Sequence, residues 1–351
     1  MKASELPEKG KPKIKHRVSL RPFNTLSVEA TAETFIEILE KEDLQTLYRE
    51  GFFRKFDPFI LGGGSNVLFR DNPSRPVLKI SLKGIDIVAE NDSSVQVRAG
   101  AGDVWHDLVE FAVQRGYGGI ENLALIPGTV GAAPIQNIGA YGSEIEQVFS
   151  SLEFFDVQEG TFRSFTREEC HFGYRDSIFK RDLRGRAIVT SVTLNLTKKD
   201  HNLITDYYSL TQRLREKGIE DPGIRDIFDA VVFIRKSKLP DPKEIGNAGS
   251  FFKNPVIPRD QFKQIQRNHP DIPFFEAAEG YIKVPAGWLI EQCEWKGKKV
   301  GKTGTYEHQA LVIVNHGSAS GKEIYQLAER IQSSVFEKFG IALTPEVNIV
   351  G

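Results

Sequence analysis

The sequence has few cysteines, almost no net charge and no long apolar run, and each absence excludes a class of protein. Among 351 residues there are only two cysteines, and neither lies in a CxxC motif or a Cys/His cluster. Since zinc sites and disulfide frameworks need such clusters, we expect no bound metal and a reducing, cytoplasmic environment. A formal net charge of −1 gives no basis for binding nucleic acid.

The chain also lacks the signs of a membrane protein. No apolar segment approaches the roughly 18 residues of a membrane helix. The basic, polar start is unlike a signal peptide, so we expect a loose N-terminal tail there. Neither a membrane nor a nucleic acid is therefore expected as a partner.

Glycine, in contrast, is abundant, with 31 residues, many of them in two loops. In "LGGGSN" (61–66), successive backbone N–H groups can form a nest that binds an anion, and Ser65 and Asn66 add side-chain donors. The segment "PGTVGAAPIQNIGAYG" (127–142) offers four glycines and several alanines, small enough to line a flat ring system closely. Either loop alone is compatible with an ordinary tight turn. Both together, around a strand-and-helix block, favour a cofactor site.

Three familiar motifs are incomplete. "GKKVGKT" (297–303) has one residue too few between its first glycine and the GK pair to be a phosphate-binding P-loop. Neither "GGGSNV" (62–67) nor "GAGDVW" (100–105) completes G-x-G-x-x-G. Ser250, in "GNAGSFFKNP", does not lie in G-x-S-x-G. An NTPase, a Rossmann dinucleotide site and a serine hydrolase are therefore disfavoured.

The pattern of apolar residues predicts an α+β protein with mixed sheets. "TAETFIEILEKEDLQTLY" (31–48) is typical of a helix, with Thr31 as its N-cap. "SGKE" (320–323) is a capping box that opens a helix ending at Gly340. In "IALTPEVNIVG" (341–351), alternating apolar residues predict a strand with one buried face, and Glu346 lies on the opposite face.

Six segments, taken in order, resemble the motifs of the MurB family of UDP-N-acetylenolpyruvoylglucosamine reductases. They are "LGGGSN", "IPGTVGAAPIQNIGAYG", "CHFGYRDSIFK", "KLPDPKEIGNAGSFFKNP", "AGWLIEQC" and "PEV", and the resemblance extends from about Phe23 to the C-terminus. It implies an FAD-binding fold of the vanillyl-alcohol-oxidase (PCMH) type in two subdomains, followed by a C-terminal α+β substrate-binding domain. We expect a flexible tail at 1–16, an FAD-binding domain at 17–235 that includes the C-terminal strand 341–351, and a substrate-binding domain at 236–340.

The resemblance also implies cofactors and a reaction. FAD and NADPH would reduce UDP-N-acetylglucosamine enolpyruvate to UDP-N-acetylmuramate, a precursor of peptidoglycan, with hydride passing through flavin N5 to the vinyl carbon. We expect a cytoplasmic monomer whose partners are these small molecules. The residues expected to contact FAD are Gly62, Gly63, Gly64, Ser65, Asn66, Pro127, Gly128, Thr129, Gly131, Ala132, Ile135, Asn137, Gly139, Ala140 and Tyr141.

Three residues are expected to carry the chemistry by the same resemblance. The guanidinium of Arg175 suits an enolate-like intermediate because it stays charged and grips a carboxylate; the alternative is an ion pair with Asp176. Glu346 would stabilise the same charge if protonated; the alternative is a solvent-facing strand residue. Ser250 would donate a proton to the carbanion; the alternative is a serine that only forms a turn.

Four residues are expected to hold the uridine diphosphate part of the substrate, and each is alternatively a solvated surface group: Lys238, Asn254, Lys283 and Gln309. "NLITDYYSLTQRL" resembles a tyrosine-bearing substrate loop, in which Tyr207 is favoured over Tyr208. Two other functions remain open. One is an oxidase of the same fold that holds its flavin covalently, for which His106 is the nearest candidate. The other is a nucleotide sensor without catalytic activity.

Overall fold

A computed structural model describes residues 12–351 of the chain, and these residues form two compact units. The first unit contains Ala32–Gly63 and Ser74–Arg235 together with the described residues up to Val18. The second contains Ser19–Thr31, Gly64–Pro73 and Lys236–Gly351. The boundary after Arg235 coincides with the predicted one.

Both helices and strands occur in each unit, as predicted for an α+β protein. In chain order the strands are β1 (Lys13–Ser19), β2 (Thr31–Ile38), β3 (Phe59–Leu61), β4 (Val67–Phe69), β5 (Val77–Ile80), β6 (Ile85–Glu90), β7 (Ser94–Gly100), β8 (Gly139–Ala140), β9 (Ser143–Glu144), β10 (Phe149–Asp156), β11 (Thr161–Thr166), β12 (Ala187–Thr197), β13 (Gly246–Ser250), β14 (Val256–Pro258), β15 (Phe275–Glu276), β16 (Tyr281–Lys283), β17 (Lys299–Val300), β18 (Thr303–Thr305), β19 (Val312–Asn315) and β20 (Asn348–Val350). The α-helices are α1 (Lys41–Arg49), α2 (Phe52–Lys55), α3 (Trp105–Gln114), α4 (Tyr208–Glu216), α5 (Ile224–Lys238), α6 (Arg259–Asn268), α7 (Ala286–Gln292) and α8 (Gly321–Phe339).

The first unit is built on two sheets. A four-stranded sheet has the order β1-β2-β5-β3, in which β5 runs parallel to both β2 and β3. A five-stranded sheet has the order β11-β10-β12-β7-β6, and all of its neighbouring strands are antiparallel. Trp105 on α3 and Val97 on β7 belong to one continuous core of buried apolar residues in this unit. The loop 127–142 consists mainly of short 3-10 turns between α3 and β10.

The helix predicted to begin at Thr31 is wrong in its first half. Residues Thr31–Ile38 form β2, and α1 begins only at Lys41 after a capping box between Glu40 and Asp43. Neighbouring side chains on β2, Phe35 and Ile36, are both fully buried. A strand inside a parallel sheet is covered on both faces, so its apolar residues do not alternate with polar ones.

The second unit contains three small sheets and the longest helix among the described residues. The sheets have the orders β13-β19-β18-β17, β14-β16-β15 and β20-β4. Helix α8 begins with the predicted capping box, in which Ser320 and Glu323 bond each other's backbone N–H groups. It ends at Gly340, whose φ of 64° lies in the left-handed region, a conformation that is common at the C-terminal ends of helices. Ile324 and Ile331 on this helix pack into a separate apolar core.

The C-terminal segment differs from its prediction in two ways. Regular strand structure covers only Asn348–Val350, and Pro345 forms an isolated antiparallel bridge with Phe252. The residues before β20 still lie against the segment after β13: the Lys253 amide donates to the Thr344 carbonyl at 2.9 Å. Ile341 and Leu343 are buried in the core of the second unit. The prediction that 341–351 joins the first domain is therefore wrong by this division of the chain.

The predicted N-terminal tail is also too long. Residues 13–16 are part of β1, which pairs with β2 at the edge of the four-stranded sheet. Residues 1–11 lie outside the part that the structure describes. Within residues 12–351, no helix is long and apolar enough to cross a membrane.

Candidate active site

The two glycine-rich loops meet inside the first unit at Gly62 and Gly63. A Cβ atom on Gly63 would lie 2.8 Å from the Gly128 Cα, and one on Gly62 would lie 2.7 Å from Thr129 Oγ1. Both distances are shorter than real Cβ contacts, so the loops can pack this closely only with glycine at these positions. The sequence predicted both loops, and the structure brings these parts of them together.

The hydroxyl of Thr129 is unsatisfied in this arrangement. Its Oγ1 atom is buried and has no hydrogen-bond partner among the described residues. A buried hydroxyl without a partner costs about 1–3 kcal/mol. The position is therefore suited to contact with a polar group of a ligand beside the two glycine loops, which fits the predicted FAD site.

Asn137 is held by the protein at both ends of its side-chain amide. Its fully buried side chain donates to Glu144 Oε2 at 3.0 Å and to the Gly173 carbonyl at 3.2 Å. Its backbone is left-handed, with φ of 43°. The amide group thus holds the loop to its neighbours, and its Nδ2 hydrogens are directed to protein acceptors.

Arg175 lies against the second glycine loop in the first unit. Its Nη2 donates to the Gly139 carbonyl at 2.7 Å and its Nη1 to the Asn137 carbonyl at 3.3 Å. Nη1 also lies 3.8 Å from Glu144 Oε1. The alternative partner considered from sequence, Asp176, instead pairs with Arg181 at 2.8 Å. Arg175 is therefore anchored where the predicted flavin loop passes.

Tyr207 is the better placed of the two candidate tyrosines. It is the N-cap residue of α4, and its ring centroid lies 5.3 Å from that of Tyr141 in an edge-to-face arrangement. Tyr208 is 77% exposed. Only Tyr207 of the pair is thus seen in ring contact with the predicted cofactor loop.

In the second unit, the backbone brings the segments of Ser250 and Glu346 side by side. Ser250 is exposed at the end of β13, after Gly249, whose φ is +68°. The Glu346 amide donates to the Phe251 carbonyl at 2.8 Å. Phe251 and Phe252 are 1% exposed and pack into the apolar core. They anchor this segment more than they line an open cleft.

The last residues of the first glycine loop also belong to this unit. A Cβ on Gly64 would lie 1.9 Å from the Phe23 carbonyl oxygen, so only glycine fits there. Asn66 Nδ2 donates to the Glu346 carbonyl at 3.3 Å. Asn66 is thereby tied to the backbone of the predicted catalytic carboxyl residue, and Ser65 precedes it in the same turn.

Three of the four predicted substrate residues surround the start of α7. Asn254 Oδ1 accepts a hydrogen bond from the Ala286 amide at 2.9 Å. Gln309 Oε1 lies 3.1 Å from the place that a Cβ on Gly287 would take. Lys283 ends β16, and its Nζ lies 5.6 Å from the centre of the Phe275 ring. Lys238 is exposed at the end of α5, where no described contact links it to the other three.

Sequence reasoning missed Arg235. Its guanidinium interacts electrostatically with the side chain of Tyr141, while its Nε atom is buried with no partner in the described chain. Burial lowers the pKa of Arg235 and raises the pKa of Tyr141, and their contact opposes both shifts. Its position in the sequence could have indicated it. Arg235 lies on the same apolar face of α5 as Phe228 and Val231, where a charged residue is unusual.

Taken together, the glycine cradle and the unsatisfied Thr129 hydroxyl define a protein with an FAD-binding domain. A family model described as "FAD binding domain" matches residues 33–166. A second, "UDP-N-acetylenolpyruvoylglucosamine reductase, C-terminal domain", matches residues 241–350. The predicted FAD-binding fold of the vanillyl-alcohol-oxidase type, followed by a distinct C-terminal domain, is thus confirmed.

Comparison with whole proteins identifies the family. The chain is 45% identical to UDP-N-acetylenolpyruvoylglucosamine reductase of Flavobacterium johnsoniae over 96% of this chain and 99% of that one. It is 43% identical to the Pseudomonas aeruginosa protein of the same name over 96% and 98%. The crystal structure of the reductase (MurB) from Thermus caldophilus matches its fold with a TM-score of 0.68, at 24% identity over 97% of this chain and 100% of that one. This chain belongs to the UDP-N-acetylenolpyruvoylglucosamine reductase family and is an oxidoreductase, as the motifs predicted.

Proposed function

We propose that this protein uses NADPH to reduce UDP-N-acetylglucosamine enolpyruvate to UDP-N-acetylmuramate, as a cytoplasmic monomer in peptidoglycan synthesis. The observation that carries the proposal is the hydrogen bond between the Glu346 amide and the Phe251 carbonyl. This bond joins the backbone of Glu346 to the residue that follows Ser250, and it supports a shared site for two residues that are far apart in the sequence. The reductase activity carried in the names of the relatives supports the same reaction.

FAD would be held by the residues of the two glycine loops, with the Thr129 hydroxyl as a hydrogen-bond donor or acceptor. When bound, FAD supplies a carrier that takes hydride from NADPH and passes it to the vinyl carbon of the substrate. The missing Cβ atoms of Gly62 and Gly63 let the second glycine loop pack against the first, which would fix the positions of the backbone N–H groups beside the cofactor. Side chains of this protein would stabilise the negative charge, donate the proton and hold the substrate.

Arg175 would stabilise the negative charge that hydride addition leaves on the substrate. Its two hydrogen bonds to loop carbonyls, at 2.7 and 3.3 Å, fix the position of the guanidinium. The planar guanidinium fork can grip a carboxylate with two parallel hydrogen bonds.

Ser250 and Glu346 would complete the reaction at the carbon next to the carboxylate. Ser250 is exposed at the end of its strand and would donate the proton. Glu346 would share the developing charge if its carboxyl is protonated, which a neighbouring substrate carboxylate favours because two like charges repel. Asn66 holds the backbone of Glu346, and this contact limits the movement of the carboxyl residue.

The other end of the substrate would be held by the cluster at the start of α7. Lys283 would provide positive charge for the pyrophosphate, and Asn254 and Gln309 would provide amide groups. Lys238 and Tyr207 would complete the contacts.

The structure gives no support to the oxidase with covalently bound flavin. His106 Nδ1 accepts a hydrogen bond from the Leu125 amide at 3.1 Å, and its Nε2 lies 3.4 Å from Glu110. The ring also stacks on Phe228 at 5.8 Å. Both ring nitrogens are therefore engaged by the protein itself.

A spectroscopic titration tests the proposal. The purified protein is loaded with FAD and reduced by NADPH without oxygen, and UDP-N-acetylglucosamine enolpyruvate is then added. We expect the visible absorption band of oxidised flavin to disappear when NADPH is added and to return when the enolpyruvyl substrate is added. A band that returns only with oxygen would favour an oxidase, and a protein that cannot take up FAD would overturn the proposal.

A further inference from the structure

Asn122 joins two segments of the first unit that sequence analysis treated separately. Its side chain is 1% exposed. Nδ2 donates to the Tyr141 carbonyl at 2.9 Å and to the Ile204 carbonyl at 2.9 Å. Both hydrogens of one amide group therefore link the second glycine loop to the segment that leads into α4.

The two segments are also in direct contact beside this link. A Cβ on Gly142 would lie 2.8 Å from the Ile204 Cγ2, and the φ of Gly142 is +84°. On the other side, Thr211 Oγ1 on α4 donates to the Thr205 carbonyl at 2.6 Å. The segment 203–206 is thus held at one end by the glycine loop and at the other by the first turns of the helix.

Tyr207 follows this segment immediately. Its ring packs edge-to-face on that of Tyr141, whose carbonyl is one of the two acceptors of Asn122. The Tyr141 side chain also interacts electrostatically with Arg235. The hydrogen bond from Asn122 holds the backbone of Tyr141, and the Tyr141 ring is the surface on which Tyr207 packs.

We propose that Asn122 is a positioning residue that holds the segment leading to Tyr207 against the FAD-binding loop and thereby orients this tyrosine for the sugar-nucleotide substrate. The proposal rests on the proposed function, in which the loop holds FAD and Tyr207 contacts the substrate. Asn122 itself is buried behind both segments, so its effect passes through the two carbonyls that it binds.

Asn122→Asp tests the proposal, because the carboxylate has nearly the same shape but cannot donate a hydrogen bond when ionised. The matched control is Asn24→Asp in the second unit. Asn24 is also buried, and its Nδ2 donates to the Leu20 and Val28 carbonyls at 2.8 and 2.9 Å. The control therefore loses the same pair of bonds at a place remote in sequence from Tyr207.

Hydrogen exchange of the FAD-loaded proteins is measured first. In Asn122→Asp we expect the amides of residues 203–211 to exchange about tenfold faster than in the wild type, since one lost hydrogen bond of about 1.4 kcal/mol changes an opening equilibrium by that factor. In Asn24→Asp we expect their exchange to be unchanged. Equal exchange of this segment in the two variants would overturn the proposal.

Anaerobic half-reactions are measured second. We expect Asn122→Asp to keep the rate of flavin reduction by NADPH, while the KM for the enolpyruvyl substrate in reoxidation rises about tenfold. Lower thermal stability with an unchanged KM would reduce Asn122 to a structural residue and overturn the proposal. If Asn122→Asp does not fold, Asn122→Ala, which adds no charge, takes its place with the same expected outcomes.

The two proposals fail in different ways. If the wild type binds FAD but does not reduce the enolpyruvyl substrate, the proposed function fails. The exchange experiment still decides whether Asn122 holds the tyrosine segment, because it needs no turnover.

Discussion

Thr129→Val should change cofactor affinity and the stability of the cofactor-free protein in opposite directions. Valine has nearly the shape of threonine but no hydroxyl, and Thr129 Oγ1 is buried without a partner in the described part of the chain. Removing an unsatisfied buried hydroxyl recovers part of a penalty of about 1–3 kcal/mol. The cofactor-free protein should therefore become more stable, by roughly 2–4 °C in Tm for each kcal/mol.

The same substitution should weaken FAD binding. If the hydroxyl bonds the cofactor in the loaded protein, its loss costs about 1.4 kcal/mol, which is a tenfold increase in Kd. Quenching of flavin fluorescence in a titration gives Kd, and thermal unfolding without FAD gives the stability. With saturating FAD, the difference in Tm between Thr129→Val and the wild type should become small, because bound ligand adds less stability when its Kd is larger.

Thr190→Val is the matched control. Thr190 is also buried in the first unit, but its hydroxyl donates to Glu153 Oε1 at 2.6 Å. Its removal should lower the stability and leave the FAD affinity unchanged. If Thr129→Val behaves like Thr190→Val in both measurements, the Thr129 hydroxyl does not face the cofactor, and the reasoning from its missing partner is refuted.

Three further predictions test other parts of the molecule. Ser250→Ala should leave NADPH reduction of the flavin nearly intact and slow reoxidation by the enolpyruvyl substrate about 10²–10⁴-fold in stopped-flow measurements; equal losses in both half-reactions would indicate a structural role. Tyr207→Phe should raise the KM for that substrate and Tyr208→Phe should not, in steady-state assays; the reverse result would reassign the substrate tyrosine. Burial alone would raise the pKa of Asp156, but the hydrogen bonds and charge of Arg186, together with hydrogen bonds from the Gln158 and Glu159 amides, outweigh it and hold the pKa below its usual 3.8. The ionised Asp156 therefore stabilises the fold fully at neutral pH, and this contribution is lost as the pH falls below about 4. In Asp156→Asn the Tm should consequently decrease less at acid pH than in the wild type. An equal decrease in both proteins would show that the Asp156–Arg186 ion pair does not cause the loss of stability in acid.

The glycine loops could be predicted because their requirement is local. At Gly63 and Gly64 a side chain is excluded by backbone atoms, and this demand appears directly in the sequence as glycine. The capping box at Ser320 is equally local, since both of its hydrogen bonds lie within one turn. Predictions of this kind need no knowledge of the rest of the fold.

The wrong predictions depend on neighbours that the sequence does not display. The segment from Thr31 has apolar residues at spacings that suit either a helix or a strand, and pairing with β5 decides for the strand. Before β20, Ile341 and Leu343 alternate as in a strand, yet their backbone has partners only at isolated positions. The apolar pattern showed which residues are buried and not what their backbone bonds to.

The residues missed at the candidate site share one property: they act on backbone atoms or on other side chains of the protein. Asn122 binds two carbonyls, and any residue type has a carbonyl, so no motif records its partners. Arg235 differs because its partner is the hydroxyl of Tyr141, and its position on an apolar helix face is visible in the sequence. A charged residue at such a position must find a partner or a ligand, because an unpaired buried charge is too costly to retain. Searching the apolar faces of the helices near a predicted cofactor loop for single polar residues would have found Arg235 but not Asn122, which lies in a 3-10 turn without helical periodicity.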